Sequence, residues 1–259
     1  TYTISRNYGN SEIPVDIKII PNYAFRDINA KYSTQTKTGN LFYFSLFGAG
    51  DKFGYKVNEE LSTNKAFERN ADEDNQQLGF SLYYGKNWKK GNRSSILFSF
   101  GSLATTWNDS YDIYNQITLD TISKQDYTIQ NSINEATVKF ENQIQAGQNH
   151  TLEFAAGVVA NGSALNTDST GTRITTIESS SLRLTSYIQD KISIGSHLLF
   201  TPGLRINYAS STNRFYAEPR LTGSFIANDE IRMNFGIGRY YQYISKTQML
   251  DDSGRIRYF

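Results

Sequence analysis

The feature that most constrains this sequence is an alternation of apolar and polar residues with a period of two. It is clearest over residues 182–244, where four alternating runs are separated by short breaks. Apolar positions of the first run include Leu182, Leu184, Ile188, Ile192 and Ile194. A period of two places successive side chains on opposite faces of a β-strand. Short breaks between consecutive runs predict an antiparallel meander.

Strand length separates the two architectures that share this alternation. Strands of soluble sandwiches usually have about five or six residues. Strands that cross an outer membrane have roughly ten tilted residues, apolar toward lipid and polar toward a wet lumen. The runs here are of the longer kind and carry charge on the polar side. The sequence therefore predicts an all-β fold, an antiparallel up-and-down transmembrane β-barrel in a bacterial outer membrane. A soluble β-rich surface or adhesion domain is the alternative.

Composition fits this interpretation. Hydrophobic residues make up 38% of the chain and the mean hydropathy is −0.51. No stretch approaches the 18 to 20 apolar residues that a membrane helix needs, whereas a barrel needs apolar residues only at alternate positions. The 18 tyrosines and 16 phenylalanines suit a membrane interface, because a tyrosine ring is apolar while its hydroxyl stays wet.

Several kinds of chemistry find no support in the sequence. The absence of cysteine excludes disulfides, cysteine-ligated zinc and thiol catalysis. A net charge of +1 without a basic block gives no reason to expect a nucleic-acid partner. His150 and His197 fall at predicted turns, and the acidic residues 72–74 and 251–252 lack EF-hand spacing. We expect no catalytic residue, no metal site and no cofactor, and therefore no enzyme.

The connections between the predicted strands alternate in length. Tight turns near residues 39, 91, 147, 196 and 229 interleave with longer polar stretches, of which the largest are 58–77, 108–134 and 161–181. Outer-membrane barrels have short periplasmic turns and longer extracellular loops. Five hairpins predict about ten strands, and residues 1–259 form a single β-barrel segment because no linker interrupts them. A change of parity after Arg26 predicts a β-bulge.

This arrangement yields candidate ligand-binding residues on two surfaces. Charged residues of the polar face are expected to point into the lumen: Lys139, Glu141, Glu153, Arg183, Lys191, Arg205, Glu218, Arg220 and Arg232. Of these, Arg183, Arg205, Glu218, Arg220 and Arg232 are the lumen candidates. Phe67, Tyr111 and Tyr114, in the predicted extracellular loops, are the aromatic candidates.

Two segments resemble a known family. Residues 216–225 (YAEPRLTGSF) and 234–242 (NFGIGRYYQ) resemble a strand pair of TonB-dependent outer-membrane transporters, especially those of Bacteroidetes. Residues 20–32 and the segment 47–51 (FGAGD) are similar to an earlier strand and hairpin of the same barrels. The resemblance implies energy-coupled uptake of a nutrient such as a siderophore, a glycan or a peptide.

The chain also departs from that family. Such transporters contain an N-terminal plug and a barrel of 22 strands, whereas we predict no plug and ten strands. We therefore interpret the chain as an internal segment of the barrel, and we expect residues 245–259 to end within a loop. The implied partners are outer-membrane lipid, the TonB system through a plug, the remaining strands of the same barrel and a surface lipoprotein. A self-contained ten-stranded barrel, porin-like or a hydrolase, remains an alternative.

Overall fold

The computed structural model describes residues 18–62, 64–228 and 230–242, with four short strand pieces outside them, Asn7–Tyr8, Ser11–Glu12, Gln248–Leu250 and Ile256–Tyr258. Its main body is one ten-stranded antiparallel sheet in which each strand pairs with its neighbours in sequence. The strands are β1 (Lys18–Gln35), β2 (Leu41–Ser62), β3 (Lys65–Asn87), β4 (Arg93–Asn115), β5 (Thr121–Gln145), β6 (His150–Ser169), β7 (Thr172–Ile194), β8 (Leu198–Ala209), β9 (Arg214–Ile226) and β10 (Arg232–Gly238). The predicted all-β class, up-and-down order and strand number are confirmed. The four short pieces form two separate hairpins.

Tight turns join alternate strands at the predicted places. A single 3-10 turn, Lys89–Gly91, connects β3 to β4. Gly39, between β1 and β2, has φ +81°, a conformation that side chains disfavour. A Cβ there would also lie 2.7 Å from Nδ2 of Asn87, which donates a hydrogen bond to the Gly39 carbonyl. The positive φ therefore favours glycine at position 39, and any larger residue would also displace the Asn87 amide.

The ladders divide the sheet into two faces. Up to the register shifts at the far ends of the β2–β3, β4–β5 and β6–β7 ladders, the outer face carries the even-numbered residues of β1–β8 and the odd-numbered residues of β9 and β10, and the inner face carries the others. One line of paired outer-face residues runs through Tyr32, Phe44, Leu82, Phe98, Val138, Val158, Leu184, Tyr208 and Phe215. We call the apolar band around this line the belt. Its side chains are largely exposed, and the buried hydrophobic residues of the described chain are only alanines and one valine. A packed second layer, as in a soluble sandwich, is therefore not present among the described residues.

The register of the ladders sets the tilt of the strands. Tyr32 lies three residues from the end of β1 at the tight turn, whereas Phe215, on the same line of pairs, lies eleven residues from the end of β9. If the tight turns share one level, each strand is shifted along its axis by about one residue relative to its neighbour. With roughly 3.3 Å per residue and 4.8 Å between strands, this stagger corresponds to a tilt of about 35°. Strands of transmembrane barrels are tilted by about the same amount.

The predicted long loops are wrong. Residues 58–77, 108–134 and 161–181 lie almost entirely in strands, so that β3 and β5 reach 23 and 25 residues. The connections between them are short: two residues separate β2 from β3, five separate β4 from β5, and two separate β6 from β7. These segments were predicted as loops because they are polar. Where both faces of a sheet meet water, however, the ladder of backbone hydrogen bonds forms without apolar side chains. The predicted loop at 245–259 lies mostly outside the described residues.

The predicted bulge after Arg26 is also wrong. The β1–β2 ladder is unbroken from Lys18 opposite Asn58 to Gln35 opposite Leu41. The change of parity is real, but it moves aromatic residues between faces: Tyr23 and Phe25 lie on the inner face, and Ile28 and Tyr32 on the outer face.

The sheet is open within the described residues. There, β1 and β10 each pair with a single neighbour and do not pair with each other. The ladder that would close a self-contained ten-stranded barrel is therefore not formed in this part of the chain. Among the described residues, no helix is long and apolar enough to cross a bilayer.

Candidate ligand-binding face

The outer face changes character along the strands. In β7 the belt runs from Leu182 to Ile192, which at a tilt of about 35° is roughly 27 Å along the sheet axis. This height is close to the apolar band of about 25 Å in transmembrane barrels. The 25 residues of β5 span about 65 Å on the same scale. The strands therefore project far beyond the belt on the side away from the tight turns.

Beyond the belt, the outer face carries ion pairs. Lys52 contacts Asp74 at 2.8 Å, Lys56 contacts Glu68 at 2.6 Å, and Arg173 pairs with Asp168. The hydrogen bond from Lys56 holds the pKa of Glu68 below its ordinary value. Paired charges in place of leucine and phenylalanine indicate that this part of the outer face meets water.

At the level of the belt, the inner face carries a polar network centred on Tyr187. The Tyr187 hydroxyl donates to Glu141 at 2.8 Å, and Lys139 contacts the same carboxylate at 2.5 Å. The cations of Arg220, Lys139 and Arg205 lie 5.0, 5.7 and 5.7 Å from the Tyr187 ring centre. Three cations around one ring form an arrangement that cation–π attraction stabilises.

Three of the lumen candidates meet in one cleft on this face. Arg183, Arg205 and Glu218 line a cleft of about 300 Å³, together with Tyr240 and Tyr241 from the segment after β10. Glu218 is buried and accepts a hydrogen bond of 3.0 Å from Asn207.

The other two lumen candidates lie outside the cleft. The Arg220 guanidinium lies over the Tyr187 ring and donates a hydrogen bond of 2.8 Å to the Gln189 side chain. Arg232 lies on the inner face at the beginning of β10, opposite Ile226 and next to a tight turn. Tyr187 and Asn207 were not among the predicted site residues. In the sequence, the charged residues on either side of Tyr187 were the only indication that it belongs to this polar network.

The second candidate surface lies on the inner face beyond the belt. Arg69 donates two hydrogen bonds to the Asp109 carboxylate, at 2.9 and 2.8 Å, and Tyr111 donates a third at 2.7 Å. The Arg69 guanidinium also lies over the rings of Tyr55 and Tyr111, 5.3 and 5.2 Å from their centres. Asp109 is 1% exposed. These contacts lock β2, β3 and β4 together well above the belt.

The aromatic candidates are divided between the two faces. Phe67 and Tyr111 lie on the inner face with ring centres 6.1 Å apart. Tyr114 lies on the outer face opposite Ala66. All three belong to strands rather than to the predicted loops.

Further aromatic residues extend this inner surface across β1–β5. We call the set the inner aromatic stripe: Tyr23, Phe25, Phe53, Tyr55, Phe67, Tyr111 and Tyr127. Sequence reasoning missed Arg69 and Asp109, because their segments were taken for loops. Spacings of two, as in Phe67 to Arg69 and Asp109 to Tyr111, were the signal that each pair shares a face.

The histidines lie near the tight turns. His150 Nδ1 contacts Asp190 at 2.7 Å on the outer face, and His197 Nδ1 lies 2.9 Å from the hydroxyl of the adjacent Ser196. Among the described residues, no group of three or more His, Cys, Asp or Glu side chains is arranged to hold a metal ion.

Comparison with known proteins gives structural matches only. No family model and no curated protein sequence matches this chain. A chain in the structure of the FpvAI–pyocin S2 complex matches with a TM-score of 0.45 and 10% identity, over 91% of this chain and 43% of that one. The siderophore receptor PirA from Pseudomonas aeruginosa matches with a TM-score of 0.42 and 14% identity, over 94% of this chain and 48% of that one. The unliganded ferric citrate transporter FecA matches with a TM-score of 0.35 and 11% identity, over 83% of this chain and 42% of that one. The chain thus spans less than half the length of each of these proteins.

Proposed function

We propose that this chain forms part of the wall of a bacterial outer-membrane β-barrel that takes up a nutrient by an energy-coupled mechanism. The observation that carries the location is the belt. A sheet with an exposed apolar band about 27 Å high on one face, by the estimate above, and a charged network on the other fits lipid outside and water inside.

The open edges support a larger barrel. Strand edges in lipid leave backbone N–H and C=O groups without partners, at a cost of several kcal/mol for each group. Further strands of the same barrel therefore pair with β1 and β10. The proposal assigns these strands, and the plug that closes the lumen, to polypeptide other than the ten strands described.

The transport mechanism is inferred from the resemblance of residues 216–225 and 234–242 to TonB-dependent transporters. In this mechanism the ligand binds to the inner face, and the TonB system acts on the plug to release it inward. The resemblance also implies a surface lipoprotein as a further partner. The Arg183–Arg205–Glu218 cleft and the inner aromatic stripe are the two surfaces that meet a ligand on its way through.

The first experiment measures the mass of the intact protein in the native outer membrane on boiled and unboiled gels. We expect a heat-modifiable band about three times heavier than the 29.4 kDa of this chain, because 22 strands and a plug need that length. A heat-modifiable band near the mass of this chain would instead indicate a self-contained barrel. Recovery in the aqueous fraction without detergent would indicate a soluble protein.

A transport assay then tests energy coupling. Uptake by intact cells of the ligand identified for the parent protein should stop when the proton gradient is collapsed, while binding at the cell surface continues. Uptake that persists after collapse of the gradient would identify a passive channel.

A further inference from the structure

The inner face carries different charges on different strands. On β1–β3, the inner-face residues 8 to 14 positions from the tight turns include the acids Asp27, Asp51 and Glu73 and no base. On the described strands β7–β10, the inner-face bases are Arg183, Lys191, Arg205, Arg214, Arg220 and Arg232, and the acid is Glu218. The inner face is therefore acidic on this part of β1–β3 and basic on β7–β10.

Two of the acids on β1–β3 converge on one amide. Nδ2 of Asn75 donates to Asp51 at 3.1 Å and to Glu73 at 3.0 Å, and the Thr105 hydroxyl donates to Oδ1 of the same amide at 2.7 Å. Within the described part of the chain, neither carboxylate forms an ion pair. Two carboxylates held close together repel each other, and a cation between them removes that repulsion.

Aromatic rings stand beside these carboxylates. Phe25 is directly opposite Asp51, and Phe53 is directly opposite both Tyr23 and Glu73. Tyr23 and Phe25 are neighbours on the inner face of β1, with ring centres 6.0 Å apart. Aromatic rings next to carboxylates form a surface for ammonium and guanidinium groups, which are attracted to both.

Arg69 displays the same chemistry within the protein. Its guanidinium lies between the rings of Tyr55 and Tyr111 and is held by both oxygens of Asp109. Asp51 and Glu73 repeat the combination of ring and carboxylate on the same strands β2 and β3, four residues nearer the tight turns than Tyr55 and Arg69.

We propose that the inner face of β1–β3 binds a cationic peptide in an extended conformation, through arginine or lysine side chains that contact Asp51, Glu73 and the rings of Phe25 and Phe53. The inference rests on the proposed function, since it names the ligand class of that uptake receptor. The stripe crosses β1–β5, a distance of about 19 Å at roughly 4.8 Å between strands. An extended peptide of about six residues covers this length, whereas a single amine covers one position.

The test is calorimetric titration of the parent protein, purified in detergent, with three hexapeptides. The first alternates Arg and Gly, the second Glu and Gly, and the third Ser and Gly. We expect binding of the Arg peptide alone, weakened by added salt because the attraction is between charges. Glu73→Gln should weaken binding by about tenfold, the value of one charged hydrogen bond. Phe25→Ala should weaken it by a few-fold, the value of one exposed cation–π contact.

Asp74→Asn is the matched control, because Asp74 is the next residue along the chain and lies on the outer face, paired with Lys52. Its affinity for the Arg peptide should equal that of the wild type. Equal binding of all three peptides, or an unchanged affinity in Glu73→Gln, would overturn the inference. The inference would also be overturned if the protein bound maltohexaose or Ca²⁺ but not the Arg peptide, and if Glu73→Gln or Phe25→Ala weakened that binding. These outcomes leave the heat-modifiable band and the gradient-dependent uptake untouched, so failure of the peptide site is distinguishable from failure of the proposed function.

Discussion

At the scale of single residues, Asp109 is the most demanding position in the described chain. Its carboxylate is buried, in a strand segment whose composition is that of a loop, and its charge is balanced by Arg69 at 2.8 Å. Burial of a carboxylate is costly unless it is paired and hydrogen-bonded. Arg69 and Tyr111 meet both conditions, which explains how an acidic residue beyond the belt has almost no contact with water.

Replacement of Asp109 tests this account. Asp109→Ala leaves the Arg69 guanidinium without its carboxylate, and we expect the variant to be destabilised by about 3 kcal/mol, as for other buried pairs that lose one partner. The measurement is urea unfolding of the protein in lipid vesicles. Asp74→Asn removes one charge from an exposed pair and should leave the unfolding midpoint unchanged. An Asp109→Ala variant as stable as the wild type would show that the pair does not hold the projecting strands together.

At the scale of elements, the finding with most consequence is that the polar stretches are strands. The β3–β4 ladder continues without a register shift from Asn87 opposite Arg93 to Lys65 opposite Asn115. Its far half has polar residues on both faces, so hydrophobic periodicity is weak there while backbone pairing is complete. The inner aromatic stripe exists only because these segments are rigid and in register.

Paired cysteines test the register of this ladder. The chain contains no cysteine, so an introduced pair is the only source of a disulfide within it. Asn70 and Ser110 are directly opposite on the outer face, and their Cα atoms lie within the range that a disulfide accepts. We expect the variant Asn70→Cys/Ser110→Cys to form an intramolecular disulfide on mild oxidation, seen as a shift on non-reducing gels.

The matched control is Asn70→Cys with Tyr114→Cys. Tyr114 lies on the same strand and face as Ser110, but four residues further along, which is about 13 Å. This pair should remain reduced. Equal oxidation of both pairs would indicate mobile loops instead of a ladder.

At the scale of the whole molecule, the apolar belt gives the sheet a direction. The tight turns lie on one side of the belt, and the long strand extensions lie on the other. In the proposed function, the belt meets lipid and the extensions project from one side of the membrane. Across the sheet, the inner face changes from acidic on β1–β3 to basic on β7–β10.

Arginine substitutions on opposite faces test the position of the belt. Phe98 and Ser99 are consecutive residues of β4, the first on the outer face within the belt and the second on the inner face. We expect Phe98→Arg to destabilise the folded barrel by about 2–4 kcal/mol, the cost of an arginine on the lipid face near the bilayer midplane. Ser99→Arg enters the wet interior and should cost much less. Folding into lipid vesicles followed by urea titration measures both, and equal costs would contradict the assignment of the faces.

The sequence by itself determined the strand period, the five tight turns and the two faces within the belt. All three depend on local chemistry: alternate apolar residues, and glycines such as Gly39 that accept a positive φ. It also determined that Arg183, Arg205 and Glu218 share a face, because parity alone places them there.

Only the tertiary structure decided where the strands end and which polar residues meet. Backbone pairing stabilises a strand whatever its side chains, so polar segments such as 65–77 give only a weak periodic signal of the ladder they form. The contacts of Arg69 with Asp109, and of Asn75 with Asp51, join residues from neighbouring strands. Register, which is a property of the sheet as a whole, brings these residues together, and no local pattern in the chain contains it.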